Sequence, residues 1–349
     1  MSGPHRKGCS GMSREAARKE VVERILADRV REPSRTIGRG QASVNIALCK
    51  YWGKRNRELN LPFNSSLSVT LPGMDVETEL LPGSGDRDEI ELCGPGGTLP
   101  DDAADRVSGF LDLFRPRPDF RFRVRTRSSV PPAAGLASSA AAFASLVRAL
   151  DDLFQWRLGP RELSILARLG SGSACRSMYR GVVIWHAGVR NDGMDSFAEP
   201  LNIGWEALRI GVVMISASRK GVGSRPGMDH TVETSPLFAC WPETAERDLA
   251  AILGALEARD LERLGVAAEC NALCMHATMI AARPPLVYWT AQTVTAMRTV
   301  WELRRAGCPV YFTIDAGPNL KLLYAAGETA AVRRAFGEIR ECAPLAANE

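Results

Sequence analysis

Two segments of small residues are the first places in this 349-residue chain where backbone groups could converge on an anion. Pro131-Pro132-Ala133-Ala134-Gly135-Leu136-Ala137-Ser138-Ser139-Ala140 runs directly into an apolar pattern of helical period over 139–154. Small side chains let N–H groups approach a phosphate, and a helix N-terminus adds a favourable dipole. Ser138 and Ser139 would add hydroxyl donors, or an oxygen ligand for Mg²⁺. No Gly-x-x-x-x-Gly-Lys-Ser/Thr occurs, so this is not a Walker loop. The same composition suits close helix packing, and the residues alone leave both readings open. The second segment, Gly170-Ser171-Gly172-Ser173-Ala174-Cys175-Arg176-Ser177, surrounds a single cation with hydroxyls. Arg176 suits two-pronged binding of a carboxylate or phosphate, with Ser171 and Ser173 placed to donate to the same anion. An exposed arginine in a Gly/Ser turn is the equal alternative.

Other ionisable residues read blandly by themselves. Asp315, in Asp-Ala-Gly-Pro-Asn, stands among turn formers, and Lys50 and Lys54 flank Trp52 as surface lysines beside a packing residue. His186, His230 and His276 lack metal-ligand spacing, which favours structural roles. Cys175 has no triad context and reads as a small buried residue rather than a nucleophile.

The elements that must position these residues alternate strand and helix. Strands are expected at Gln41–Cys49, Ser65–Leu71, Phe120–Arg127, Val182–His186, Arg209–Ser216, Val310–Ile314 and Leu320–Tyr324. Pro72–Pro100, punctuated by Gly and Pro with short β-type runs, reads as hairpins and surface loops rather than helix. Helices are expected over 13–32, 101–114, 139–154, Arg161–Leu169 and Glu246–Ala267. In the first of these, Val21, Val22, Ile25, Leu26 and Val30 form an apolar stripe that is expected to pack on the body, with an RNA- or partner-binding arm as the alternative.

Composition narrows the class. Hydrophobic residues at 45% and charged residues at 24% describe a globular chain with enough apolar content for one large or two closely packed domains. The net charge of +4 resides in the first forty residues, where ten Lys/Arg face five Asp/Glu. The nearly neutral remainder argues against a nucleic-acid-binding core. Nine irregularly spaced cysteines give neither a disulfide framework nor a zinc signature, which points to a reducing compartment. Met1–Ser10 lacks the apolar run of a secretory signal, and no stretch of about 18 apolar residues suggests a membrane span. A cytoplasmic protein without membrane contact is the expectation.

Taken in order, Ala42-Ser43-Val44-Asn45-Ile46-Ala47 with Lys50-Tyr51-Trp52-Gly53-Lys54-Arg55, Leu61-Pro62-Phe63-Asn64-Ser65-Ser66-Leu67-Ser68-Val69-Thr70, Pro132–Ala140, Gly170–Ser177, Ser224-Arg225-Pro226-Gly227-Met228 and Asp315-Ala316-Gly317-Pro318-Asn319 resemble the diphosphomevalonate decarboxylases. These belong with galactokinase, homoserine kinase and mevalonate kinase among the small-molecule kinases. The resemblance covers residues 41–325, and the Lys-Tyr-Trp-Gly-Lys and Gly-Ser-Gly-Ser-Ala-Cys-Arg blocks are its most specific parts. It implies a two-domain α+β fold with a left-handed βαβ unit and an active site in the cleft between domains. The expected division is a basic extension over 1–38, an ATP-binding domain resembling ribosomal S5 domain 2 over 39–215, and a C-terminal domain over 216–349.

The resemblance further implies ATP, Mg²⁺ and (R)-5-diphosphomevalonate as ligands, isopentenyl diphosphate as product, and a homodimer. Asp315 matches the catalytic aspartate near the 3-hydroxyl, Lys50 a lysine near that hydroxyl and the carboxylate, and Arg176 the residue holding the carboxylate. Tyr51 and Lys54 match contacts to the diphosphate, and Ser171 and Ser173 further substrate hydrogen bonds. Pro132, Ala133, Gly135, Leu136, Ala137, Ser138 and Ser139 match the ATP phosphate loop, with Ser139 as the metal ligand. Ser224, Gly227 and Met228 match a flexible substrate-side loop, where Gly223 and Pro226 depart from the family pattern. The basic extension also departs from it. A phosphomevalonate decarboxylase or a mevalonate 3-kinase on the same fold is the near alternative, and an ATP- or RNA-binding protein the distant one. Presence of both Lys50 and Asp315 favours the full decarboxylation.

Overall fold

The computed structural model describes residues 14–93, 102–129, 138–216 and 221–346. Its first sheet is organised around one long strand. β1 (Gly38–Cys49) and β4 (Ser66–Gly83) pair antiparallel along their lengths. On the other edge of β4 lie β6 (Arg121–Ser128) and β7 (Val182–Trp185), followed outward by β5 (Glu89–Cys93) and β8 (Ala198–Leu201). The order is β5-β6-β4-β7-β8 with β1 on β4, and only β5 and β6 run parallel. A short hairpin, β2 (Lys54–Asn56) with β3 (Leu61–Pro62), stands apart.

The Gly/Pro-punctuated segment after Leu71 was expected to hold short β-type runs in hairpins and loops; strand is found there, but as a continuation of β4 to Gly83 and as β5 rather than as a separate hairpin. Pairing with β1 jumps from Asn45↔Thr70 to Ser43↔Asp75, so residues 71–74 bulge out. That bulge accommodates Pro72 and the positive φ of Gly73 without ending the strand. From its last residue onward Met74, Val76, Thr78 and Leu80 are buried at alternate positions, as a strand with one covered face requires.

Helix α1 (Arg14–Ile25) precedes the sheet, and Val21, Val22, Ile25 and Leu26 are buried in the main core. The apolar stripe therefore packs on the body as expected, although the helix ends at Ile25 and Val30 is exposed. The remaining helices of the first half are α2 (Ala103–Leu111), α3 (Ser138–Phe154) and α4 (Pro160–Gly170). α3 lies against β1 so closely that a Cβ on Gly38 or Gly40 would strike the carbonyls of Ala149 and Ser145.

The second sheet has the order β10-β11-β9-β12, formed by β9 (Leu208–Val213), β10 (Val310–Ile314), β11 (Leu320–Ala325) and β12 (Arg340–Cys342). β9 falls before the expected boundary at 215, but its hydrogen bonds belong to the C-terminal sheet. Around this sheet lie α5 (Ser224–Thr234), α6 (Trp241–Ala258), α7 (Leu261–Ile280), α8 (Ala291–Arg305) and α9 (Thr329–Phe336). The single helix expected over 246–267 is the end of α6 and the start of α7. Arg259 adopts a left-handed conformation, and the Asp260 side chain accepts from the Arg263 N–H as a new N-cap. Among the described residues no helix is long and apolar enough to cross a membrane.

Candidate active site

The β10–β11 hairpin pairs Thr313 with Lys321 and carries Asp315 in its turn. Alternation along the strands places Thr313, Asp315 and Lys321 on one face. That face meets the end of β1. Thr313 Oγ1 donates to the Ala47 carbonyl at 3.4 Å, and Lys50 Nζ donates to the same carbonyl at 2.8 Å. Lys50 Nζ also lies 2.7 Å from Asp315 Oδ1, while Lys321 Nζ lies 2.9 Å from Asp315 Oδ2. Each oxygen of the carboxylate thus faces its own ammonium. The lysines are 1% exposed and the Asp315 side chain 30%, so a ligand reaches this cluster through the carboxylate.

Burial pushes the Lys50 ammonium down to about 8 despite the pull of Asp315, and the positive charges of Lys321 and Arg176 add to the fall. Burial also opposes the charged form of Asp315. Lys321 and Lys50 outweigh it and hold the carboxyl well below the usual range. Backbone and side chains are tied as firmly as the charges. The Lys50 N–H donates to Asn271 Oδ1 at 2.7 Å, and Asn64 Nδ2 donates to the Lys50 carbonyl at 2.9 Å. His276 Nε2 lies 3.1 Å from the Asp315 carbonyl, which can only accept, so the ring carries its proton there. Burial lowers that imidazole to about 4 and keeps it neutral at pH 7. Asn319 Oδ1 accepts the N–H groups of Ile215 and Ser216 at 2.8 and 2.9 Å, anchoring the turn to the end of β9.

Arg176 lies in a 3₁₀ turn, Gly172–Met178, and is 3% exposed. Its Nη1 donates to Ser66 Oγ at 2.6 Å and its Nη2 to Asn45 Oδ1 at 3.5 Å. The guanidinium carbon stands 5.7 Å from the centre of the Trp185 ring. Both hydrogen-bonding partners are neutral, and a buried guanidinium held by neutral groups favours an anion beside it. Tyr51 packs edge-on to Trp185 with ring centres 4.7 Å apart, and its buried hydroxyl rests on Gly172, where a Cβ would collide with it. Ser171 ends α4, and the Ser173 carbonyl accepts from Asn45 Nδ2 at 3.4 Å. Lys54 is buried at the start of β2.

The expected flexible loop at Ser224, Gly227 and Met228 is instead the first turn of α5. Gly223 serves as the N-cap and Pro226 falls where no helical N–H is needed, so the sequence starts a helix rather than interrupting one. Gly227 leaves room for Tyr288 and Trp52, and Met228 is buried. In the phosphate-loop segment, Pro132, Ala133, Gly135, Leu136 and Ala137 lie outside the described residues. Ser138 opens α3, and Ser139 is exposed in its first turn.

Several residues at the site carry no catalytic or binding role in the sequence reading: Lys321, His276, Asn271, Asn45 and Ser66. Lys321 left a signal, being a lone cation within the apolar run Leu320–Tyr324, where an unpaired lysine would be too costly to bury. His276 and Asn271 left none, since their roles depend on α7 crossing the end of β1 and the Asp315 turn.

Comparison with known proteins shows the family. The model of the diphosphomevalonate decarboxylase-like N-terminal domain matches residues 42–198, and that of the mevalonate 5-diphosphate decarboxylase C-terminal domain matches residues 210–344. The chain belongs to the diphosphomevalonate decarboxylase family. Diphosphomevalonate decarboxylase mvd1 of Aspergillus fumigatus is 39% identical over 309 residues, covering 81% of this chain and 75% of its own. Mevalonate diphosphate decarboxylase from Staphylococcus aureus superposes with a TM-score of 0.83 at 35% identity, covering 90% and 97% of the two chains. MDDEF in complex with MVAPP, AMPPCP and magnesium superposes with a TM-score of 0.81 at 38% identity, covering 88% and 96%. The two-domain α+β fold expected for a diphosphomevalonate decarboxylase is the fold found.

Proposed function

We propose that the chain catalyses ATP-dependent decarboxylation of (R)-5-diphosphomevalonate to isopentenyl diphosphate, with ADP, phosphate and CO₂ as the other products and a 3-phosphorylated intermediate. The observation that carries this reading is the fixed carboxylate of Asp315 between two buried ammonium groups, in a chain that also holds a buried arginine whose hydrogen bonds run to the neutral Ser66 and Asn45. A tertiary alcohol is a poor nucleophile, so orientation is the main help it needs. Asp315 accepts the hydrogen bond of the 3-hydroxyl and sets its direction. Its low proton affinity suits that orienting role, with the hydroxyl proton passing to the carboxylate only late, as the new O–P bond forms and ADP leaves. Lys50 offsets negative charge near the oxygen that receives the phosphoryl group. Arg176 holds the substrate carboxylate. When phosphate leaves with the C–O electron pair, the C–carboxylate bonding pair forms the new double bond and CO₂ departs.

ATP with Mg²⁺ supplies the phosphoryl group. The first turn of α3 holds no acidic side chain to repel a triphosphate and presents Ser139 to solvent, which fits Mg²⁺ carried by phosphate oxygens and one protein hydroxyl. Tyr51 and Lys54 on the diphosphate, Ser171 and Ser173 on the substrate, and Ser224 in the turn carrying Gly227 and Met228 complete the assignment. A basic extension over 1–38, an N-terminal ATP-binding domain, and a C-terminal domain that takes in β9 are the units in which we read it. Family resemblance also supports a homodimer, testable by sedimentation of the purified protein, and the irregular cysteines support a cytoplasmic location. The test of substrate is CO₂ and ADP release with 5-phospho- and 5-diphosphomevalonate. Turnover of the diphosphate alone supports the reading; preference for the monophosphate, or ADP without CO₂, replaces it with one of the two alternatives on the same fold.

A further inference from the structure

We infer that Lys321 is a positioning residue for this reaction, fixing Asp315 by its Oδ2 so that Oδ1 alone faces Lys50 and the incoming hydroxyl. The inference rests on the function proposed above and deepens it.

Lys321 projects from β11, directly across the hairpin from Thr313, and its Nζ reaches both Asp315 Oδ2 at 2.9 Å and the Asn319 carbonyl at 3.3 Å. It therefore joins the two ends of the turn that carries the carboxylate. A carboxylate gripped on one oxygen only would still be free to swing about its Cβ–Cγ bond. Gripped on both, it presents a fixed edge, and one arm of that grip comes from each half of the fold. Lys50 arrives from the end of β1 and Lys321 from within the hairpin.

Among the described residues, the charged and titratable groups facing this cluster are few. Arg176 approaches from the 3₁₀ turn, and neutral His276 from α7. Asp248 on α6 reaches the Lys50 backbone only through Asn271. The positive charge of Lys321 also bears on Lys50, lowering its proton affinity together with burial. Removing that charge has two consequences that a merely space-filling residue would not have. Hydroxyl orientation loosens, and Lys50 holds its proton to higher pH.

The test compares wild type, Lys321→Met, Lys321→Arg and Asp315→Asn as full chains with Mg²⁺-ATP and 5-diphosphomevalonate, recording kcat, KM and the pH profile. The expected result for Lys321→Met is a kcat lower by about 10–100-fold with KM changed little, and an alkaline limb moved to higher pH. Lys321→Arg keeps the limb in place and recovers part of the rate. Wild-type rate in Lys321→Met would overturn the inference, as would a lower rate with an unmoved limb that arginine does not recover. Should Lys321→Met not fold, Lys321→Gln is read in its place against the same outcomes. Inactivity of the wild type, or full activity of Asp315→Asn, would instead remove the proposed function itself.

Discussion

Lys50 Nζ and Asp315 Oδ1 lie 2.7 Å apart although 265 positions separate them in the chain. The lysine ends a strand of the first sheet and the aspartate caps a hairpin of the second, so the pair exists only when the two halves are closed on each other. This contact joins the fold to the chemistry. It places a charge and an oriented acceptor in one spot that neither half holds alone.

Replacing Lys50 by methionine is expected to lower kcat at least about 100-fold, the usual cost of losing one preorganised charge at a reacting centre. Asp315 keeps Lys321, so the protein should stay folded, and circular dichroism of the variant checks this. Lys50→Arg should not restore the rate, because a planar guanidinium does not reproduce the compact ammonium that reaches the Ala47 carbonyl and Asp315 Oδ1 together. Steady-state kinetics of both variants decide the matter.

Lys50 gives the reaction an alkaline limit. Its ammonium is lowered to about 8, so kcat/KM should fall as pH rises through that value and the charge is lost. Asp315 gives no acid limb near neutrality, since its carboxyl is held below the usual range. The stability it contributes is fully present above the unfolded carboxylate value of about 3.9 and is lost as pH falls through the lower folded value. A pH series of kcat/KM and of thermal melts reads both effects.

Arg176 should tolerate no substitution. Its guanidinium spans Ser66 and Asn45 with two different nitrogens, a geometry that an ammonium cannot copy. Arg176→Lys is expected to reduce kcat/KM by roughly 100-fold or more, mostly through weaker capture of the carboxylate. Kinetics with the substrate varied at saturating ATP will show it. A variant within threefold of wild type would mean that the carboxylate binds elsewhere.

The N-terminal helix belongs to the body. Leu26, fully buried just past the end of α1, should cost about 2–4 kcal/mol when cut to alanine. Arg18 of the same helix donates to the Leu169 carbonyl at the end of α4, two residues before Ser171, and Arg225 donates to the next carbonyl, Gly170, at 3.3 Å. Arg18→Met should therefore raise KM for the phosphorylated acid more than it lowers the melting temperature. Denaturant melts of Leu26→Ala and kinetics of Arg18→Met check the two statements.

Much of this was legible in the sequence because the informative residues are local. Alternating Val44, Ile46 and Leu48 announced β1, and the Gly/Ser run around Arg176 announced a tight turn. Reading failed where a distant partner overrode the local signal. Pro72 and Gly73 spell a loop by themselves, and only the pairing of β1 across their bulge keeps β4 continuous. The flexible loop at Ser224–Met228 was expected from the family resemblance alone, and there Gly223 and Pro226 sit where a helix start accepts them. The site residues Lys50 and Asp315 carried weight only through the family resemblance. Lys321 shows in the sequence only as a lone cation in an apolar run, and its partner is set by hairpin register, which a string of residues does not display.

The most direct measurement is CO₂ and ADP release from the purified protein with Mg²⁺-ATP and 5-diphosphomevalonate, run beside Asp315→Asn. Equal amounts of CO₂ and ADP from the wild type, with the variant slower by about 1000-fold, is the result predicted from a carboxylate that orients the hydroxyl. ADP without CO₂, or an Asp315→Asn variant as fast as wild type, would contradict it.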